Sequence, residues 1–379
     1  MSRTLTLASR SLALAAGLLA GLAPAAFAAD TVVNRPAASD PGQLKQGRLT
    51  QDNNALERMD GNARPLTPSD KDQQQKKSGG LTLLERMGAE LPPLPPEKEY
   101  KGPVDEAYGA YQRGLFLTAM EKALPRAQLG DAAAQTLIGE LLSNGLGVKQ
   151  DIKAAAFWYQ QAADHGDPSA MFKYALMLME GQVVKKDKAK ADALMKKSAD
   201  LGNGSAAFNY AQTLVADQPG PEGLKKALPY YLNAAEQGIA DAQYAASQIF
   251  MALEDLGADR KLKALAWLQR AARAGFDTAQ LDLGLWLVNG TAGPRDAKAG
   301  FQWLKIAAER GNISAANKVA HLLIEAIGTR PDPVEAAKWY VISRRAGLPD
   351  PALEDFFLGI EDDKQQKAIA AADAFRPRR

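Results

Sequence analysis

Residues 130–165 read GDAAAQTLIGELLSNGLGVKQDIKAAAFWYQQAADH, and residues 166–201 read GDPSAMFKYALMLMEGQVVKKDKAKADALMKKSADL. The second stretch repeats the first in step. Gly130 matches Gly166, Ala134 matches Ala170, Gly145 matches Gly181, and Asp151 matches Asp187. The period of thirty-six continues from Gly202, Gly238, Gly275 and Gly311, with one extra residue in the fourth unit. Gly347 opens a seventh, incomplete unit. Self-similarity at such a period marks stacked helical units, each too small to bury its apolar face alone.

Columns numbered from each opening glycine carry the physical reading. Column 1 is glycine after a helical stretch, where a left-handed C-cap favours that residue. Column 5 is alanine in all six units: Ala134, Ala170, Ala206, Ala242, Ala279 and Ala315. Column 10 is always small: Gly139, Ala175, Ala211, Ser247, Gly284 and Ala320. Small residues let two helices approach, and large ones such as Ile138, Leu141 and Leu142 fill the spaces between. Later in each unit a large residue is followed four on by a small one, as in Trp158/Ala162, Trp303/Ala307 and Trp339/Ser343. An i, i+4 pair shares one helix face. Asp151, Asp187, Asp296 and Asp332 stand just before the second helix, where aspartate caps free amides. Each unit is therefore helix, loop, helix, glycine turn.

The pattern G-(D)-x-x-A…LG…NG-x-GV-x-x-D…A…WY…AA resembles the Sel1-like repeat, a relative of the tetratricopeptide repeat. Unit one carries it in Gly139, Gly145, Gly147, Val148, Asp151, Ala155, Trp158, Tyr159, Ala162 and Ala163; unit five repeats it in Gly284, Gly290, Asp296 and Trp303. Units three and four depart in their inter-helix loops, ADQPGPEG and ALEDLGADR. The fold this implies is an all-α, right-handed α-solenoid of about six helix–loop–helix repeats with terminal capping helices. The resemblance also implies a protein-binding, non-enzymatic chain. Exported relatives regulate membrane sensor proteins or maintain the envelope.

The expected organisation has five parts. Residues 1–28 read as a secretory signal peptide: Arg3 and Arg10, an apolar stretch, then Ala26-Phe27-Ala28 as a small-x-small cleavage site. The apolar stretch is shorter than the ~20 residues a membrane span needs. Cleavage after Ala28 would deliver the chain to the periplasm. Residues 29–100 are polar, free of aromatics up to residue 99 and marked by LPPLPP, so they read as a disordered linker. Residues 101–129 read as an N-terminal capping helix pair whose second helix Pro125 interrupts. Residues 130–346 hold the six repeats, and 347–379 hold C-terminal capping helices with a frayed tail, Arg376 to Arg379.

Composition narrows the chemistry. The 379 residues contain no cysteine and only two histidines, His165 and His321. Disulfides, thiolate metal sites and a cysteine nucleophile are excluded. The formal charge is +2, and removing Arg3 and Arg10 with the signal leaves zero, which argues against nucleic-acid binding. No catalytic motif, metal cluster or cofactor loop is present, and none of those functions is expected. The aromatic pairs Trp158-Tyr159 and Trp339-Tyr340 lie in repeat columns and read as core rather than as a ligand cage.

A surface remains. In tetratricopeptide relatives the first helices line the concave side. Columns 4, 8 and 11 of those helices share one face. It reads Lys173, Asn209, Gln212, Gln248, Asp282, Lys318 and His321, with Leu176 and Leu285 between them. That mixture suits a peptide or helix from a protein partner. The expected function is an exported scaffold or adaptor serving the bacterial cell envelope. The alternatives are a periplasmic regulator of a membrane sensor kinase and a cell-wall-acting enzyme. The enzyme would need a clustered acid, base or nucleophile.

Overall fold

Gly166 shows how one unit is joined to the next. Its φ is 97°, and the amide of Asp167 after it donates to the carbonyl of Ala162 at 2.9 Å. This is a left-handed helix stop whose last carbonyls are satisfied by the turn itself. The same stop closes the second helix of every unit, at Gly202, Gly238, Gly275, Gly311 and Gly347.

The computed structural model describes residues 105–378. The signal segment and the linker read from the sequence lie outside the described residues. Among the described residues every regular element is an α-helix. An opening pair, α1 (Glu106–Gln112) and α2 (Phe116–Gln128), precedes the repeats. The six units follow as α3 (Ala132–Asn144) with α4 (Ile152–Asp164), α5 (Pro168–Glu180) with α6 (Lys188–Asp200), and α7 (Gly204–Asp217) with α8 (Pro221–Glu236). Then come α9 (Ala240–Ala252) with α10 (Arg260–Arg273), α11 (Asp277–Asn289) with α12 (Ala297–Glu309), and α13 (Ile313–Ile324) with α14 (Pro333–Arg345). Finally α15 (Pro351–Gly359) and α16 (Asp362–Ala374) close the array.

Each repeat helix packs chiefly on the helices before and after it in sequence. At the C-terminal end α16 reaches back past α15 to pack on α14. The array is an all-α solenoid in which neighbours supply each other's core. The small columns sit at its heart. Ala170, Ala206, Ala242, Ala279 and Ala315 have no exposed surface, and neither do Ala162, Ser198, Ala234, Ala271, Ala307 and Ser343. Tyr159, Met171, Leu268, Leu283, Leu304 and Trp339 fill the gaps and are fully buried. Each such side chain removed from water contributes about 1.5–3 kcal/mol.

The aspartates before the second helices are N-caps. Asp151, Asp187 and Asp296 accept from the amides of Ala154, Lys190 and Ala299 at 2.9–3.0 Å, and Asp332 accepts from Val334 and Glu335. Units three and four differ, as their loops do. α8 starts at Pro221 behind Gly220, and Asp259 precedes α10, with no side-chain cap at either helix.

Two expectations are corrected. Pro125 does not interrupt α2, which runs through it to Gln128. Pro125 and Glu121, whose carbonyl loses its amide partner there, both lie on the exposed face, where water replaces the missing bond. Pro229 also sits inside α8, exposed at the helix surface. The C-terminal tail also departs from a frayed end as far as Arg378. The amide of Arg378 donates to the Glu309 carbonyl at 2.9 Å, and its guanidinium meets the Glu309 carboxylate at 2.8 Å. Phe375 packs edge-on against Trp339.

Candidate partner-binding face

The first helices α3, α5, α7, α9, α11 and α13 set column 11 of one unit beside column 8 of the next. The contacts between them form rungs. Glu140 in column 11 meets Lys173 in column 8 at 3.0 Å. Gln248 in column 11 donates from Nε2 to Asp282 Oδ2 in column 8 at 3.3 Å. The same Oδ2 accepts a bond from the Tyr244 hydroxyl at 2.8 Å. At the end of the array His321 in column 11 donates from Nε2 to Asp350 Oδ2 at 2.8 Å.

The seven residues chosen from the sequence fall into three groups. Gln248 and Asp282 are brought together. Lys173 and His321 are each tied to a neighbour the sequence reading did not include, Glu140 and Asp350. Asn209, Gln212 and Lys318 are not joined to the others. Asn209 donates to the Ser205 carbonyl one turn back at 2.8 Å, Gln212 is half-exposed, and Lys318 is exposed. Leu176 and Leu285 are partly buried between the polar positions.

Electrostatics separate the two acids on this ladder. Burial pushes the Asp282 carboxyl above its ordinary value against the bonds from Tyr244 and Gln248. Removing an anion from water without a cation beside it favours its neutral form. Asp350 goes the other way, to about 2. Its hydrogen bonds from Asn317 (3.0 Å), His321 and the Leu353 amide hold the charged form. Asp350 is also the N-cap of α15, so it fastens the closing helices to unit six.

Glu140, Tyr244, Asn317 and Asp350 escaped the sequence reading. A signal existed for the first: Glu140 and Lys173 have opposite charges thirty-three residues apart, the offset between columns 11 and 8 of adjoining units. Asp350 falls in column 4 of the incomplete unit, a column the reading did assign to this face.

The remaining singled-out residues are structural. His165 ends α4 and donates from Nδ1 to Gln135 Oε1 at 2.9 Å, while Gln135 Nε2 satisfies the Ala127 carbonyl of α2. Gln237 and Arg310 occupy the same column as His165. Gln237 bonds Gly202 and Gly204, and Arg310 bonds Gly275 and Asp277. The last residue of these units thus clasps the first turn of the same unit. Tyr159, Trp339 and Tyr340 are buried as core, whereas Trp158 is half-buried behind an exposed Phe157. No group of three or more His, Asp or Glu placed to hold a metal ion occurs among the described residues. No helix among them is long and apolar enough to cross a membrane.

Helix pairs stacked through small-residue columns define an α-solenoid repeat protein. The Sel1 repeat matches residues 132–167, 168–203, 205–239, 240–276, 278–312 and 313–348, more than half of the chain, and the chain belongs to that family. Proteins of this family mediate protein–protein interaction. Among solved structures, a protective antigen of uropathogenic Escherichia coli with the SLR fold is similar at 23% identity. That match covers 72% of this chain and 61% of the antigen with a TM-score of 0.55, and it bears on fold alone. A Sel1 repeat protein from Oxalobacter formigenes matches at 26% identity over 64% of this chain and all of that one, with a TM-score of 0.51. Among curated proteins, chitin synthase regulatory factor 3 of Schizosaccharomyces pombe is 29% identical over 89 residues. The match spans 23% of this chain and only 10% of that protein.

Proposed function

We propose that this chain is an exported, non-enzymatic scaffold or adaptor that binds a protein partner of the bacterial cell envelope through the face of its first helices. The observation that carries the reading is the ladder of columns 8 and 11. It presents Asn209, Gln212 and Lys318 without rung partners beside partly buried Leu176 and Leu285. A surface of alternating polar and apolar sites on a rigid array suits an extended or helical ligand. Family membership supports protein binding, and the signal-like first segment supports export to the periplasm.

A second reading, a regulator that restrains a membrane sensor kinase, gains support from one comparison. The fungal relative is by name a chitin synthase regulatory factor, and regulation by binding is the part of that name this reading takes up.

The two readings separate by deletion of the gene and by fractionation. A scaffold predicts shape or detergent-sensitivity defects without altered expression of a kinase's target genes. A regulator predicts the reverse. A chain that stays uncleaved in the cytoplasmic fraction overturns both.

A further inference from the structure

Asp282 differs from the other first-helix acids that meet the neighbouring unit. Glu140, one rung type earlier, is neutralised by Lys173 at 3.0 Å. At Asp282 the corresponding neighbour on the rung is Gln248, a neutral donor, and the second donor is the Tyr244 hydroxyl. Both bonds fall on Oδ2. Oδ1 has no hydrogen-bond partner among the described residues, and it is not one of the atoms sealed from solvent. No basic group contributes to the environment of this carboxylate, although it is substantially removed from water.

The arrangement is an anion whose Oδ2 is held by two donors and whose Oδ1 still meets solvent. Tyr244 and Gln248 hold Oδ2 from α9, and the backbone of α11 holds the base of the side chain. One helical turn on, Leu285 offers a partly buried apolar surface, and Lys318 in the next unit is exposed without an ion pair among the described residues. A desolvated carboxylate lacking a cation is completed most strongly by a guanidinium, whose fork of donors reaches an oxygen already oriented for it.

We propose that Asp282, set between Tyr244 and Gln248, is the seat for an arginine side chain of a partner peptide that crosses the first-helix face, with Leu285 receiving the apolar residue beside that arginine. The proposal rests on the reading of this face as the partner-binding surface and assigns its specificity. Charge complementarity selects the occupant: the seat supplies one negative charge with its hydrogen bonds half complete, and a basic side chain completes both. A lysine fills the same seat as a point charge, with fewer oriented donors.

The test uses the purified chain and a random peptide library displayed on phage. Binders are retained only if a photoreactive residue at position 318 crosslinks to them, which places them on the face. Their affinities are then measured as synthetic peptides by fluorescence anisotropy. The expected result is a basic residue next to an apolar one in the binders, and a loss of at least about tenfold on Asp282→Asn. Replacing the peptide arginine by citrulline weakens binding to the unmodified chain by a similar factor and has little further effect on Asp282→Asn. The citrulline arm leaves the protein untouched, so it reports even if the variant folds poorly. Face-bound peptides that are indifferent to both changes overturn the arginine seat and leave the face reading standing. A library that yields no face-bound peptide overturns both.

Discussion

Gly284 of α11 and Gly300 of α12 face each other at the crossing of the two helices of unit five. A Cβ added to Gly284 would stand 3.0 Å from the Gly300 carbonyl oxygen and 2.5 Å from Leu304 Cγ. A Cβ added to Gly300 would stand 2.7 Å from the Gly284 carbonyl and 2.6 Å from Val288 Cγ2. The two backbones touch because neither residue has a side chain. Gly300→Ala is expected to lower stability by about 1–3 kcal/mol, the usual range for overpacking a close contact. An unchanged denaturation midpoint would show that the helices are farther apart than described.

Ala326 occupies the column that holds Gly145, Gly181 and Gly290 in other units, and its φ is 55°. A residue with a Cβ is strained there by about 1–2 kcal/mol. Ala326→Gly relieves that strain and gives back part of the gain as chain entropy. The expected net effect is stabilisation of about 0.5–1 kcal/mol, read as a higher melting temperature. Destabilisation would place Ala326 in a right-handed conformation.

Asp282 and Asp350 predict opposite pH dependences. The folded state raises the Asp282 pKa above 3.8, so it binds the proton more tightly than the unfolded chain does. Stability is therefore lost as pH rises above 3.8 through the raised folded value. Asp282→Asn keeps one carbonyl oxygen able to accept from both Tyr244 and Gln248, without the charge. It is expected to raise the melting temperature at pH 7, and the gain fades below pH 3.8.

For Asp350 the folded value is about 2 against 3.8 unfolded. Its contribution is present above 3.8 and disappears as pH falls towards 2. Asp350→Ala removes the N-cap of α15 and leaves Asn317 and His321 without their acceptor, an expected cost of about 1–2 kcal/mol at neutral pH. The difference between variant and parent should shrink between pH 3.8 and 2. A constant difference across that window would contradict the charge-linked role.

How far the sequence carried the fold follows from distance along the chain. The glycine stops and alanine columns are local requirements repeated in all six units, and the aspartate caps recur in four, so the solenoid was legible from Gly130 onwards. Pro125 misled because a proline rule cannot see which side of the helix faces water. The Arg378–Glu309 contact was invisible, since it joins a tail to a helix nearly two units back. The face was half legible. Columns 8 and 11 pointed to Gln248 and Asp282, whereas the pairing of Lys173 with Glu140 and of His321 with Asp350 depends on the offset between units and not on the column alone. Tyr244 sits in column 7 and reaches Asp282 only through the offset between α9 and α11.

In-cell photo-crosslinking decides whether a partner binds the first-helix face. A photoreactive residue is placed at Gln212 or Lys318 on the face, and at Lys226, exposed on the second helix α8, as a control. Binding on that face gives an adduct with one and the same envelope protein from Gln212 and Lys318 and none from Lys226. Adducts from Lys226 alone would contradict it.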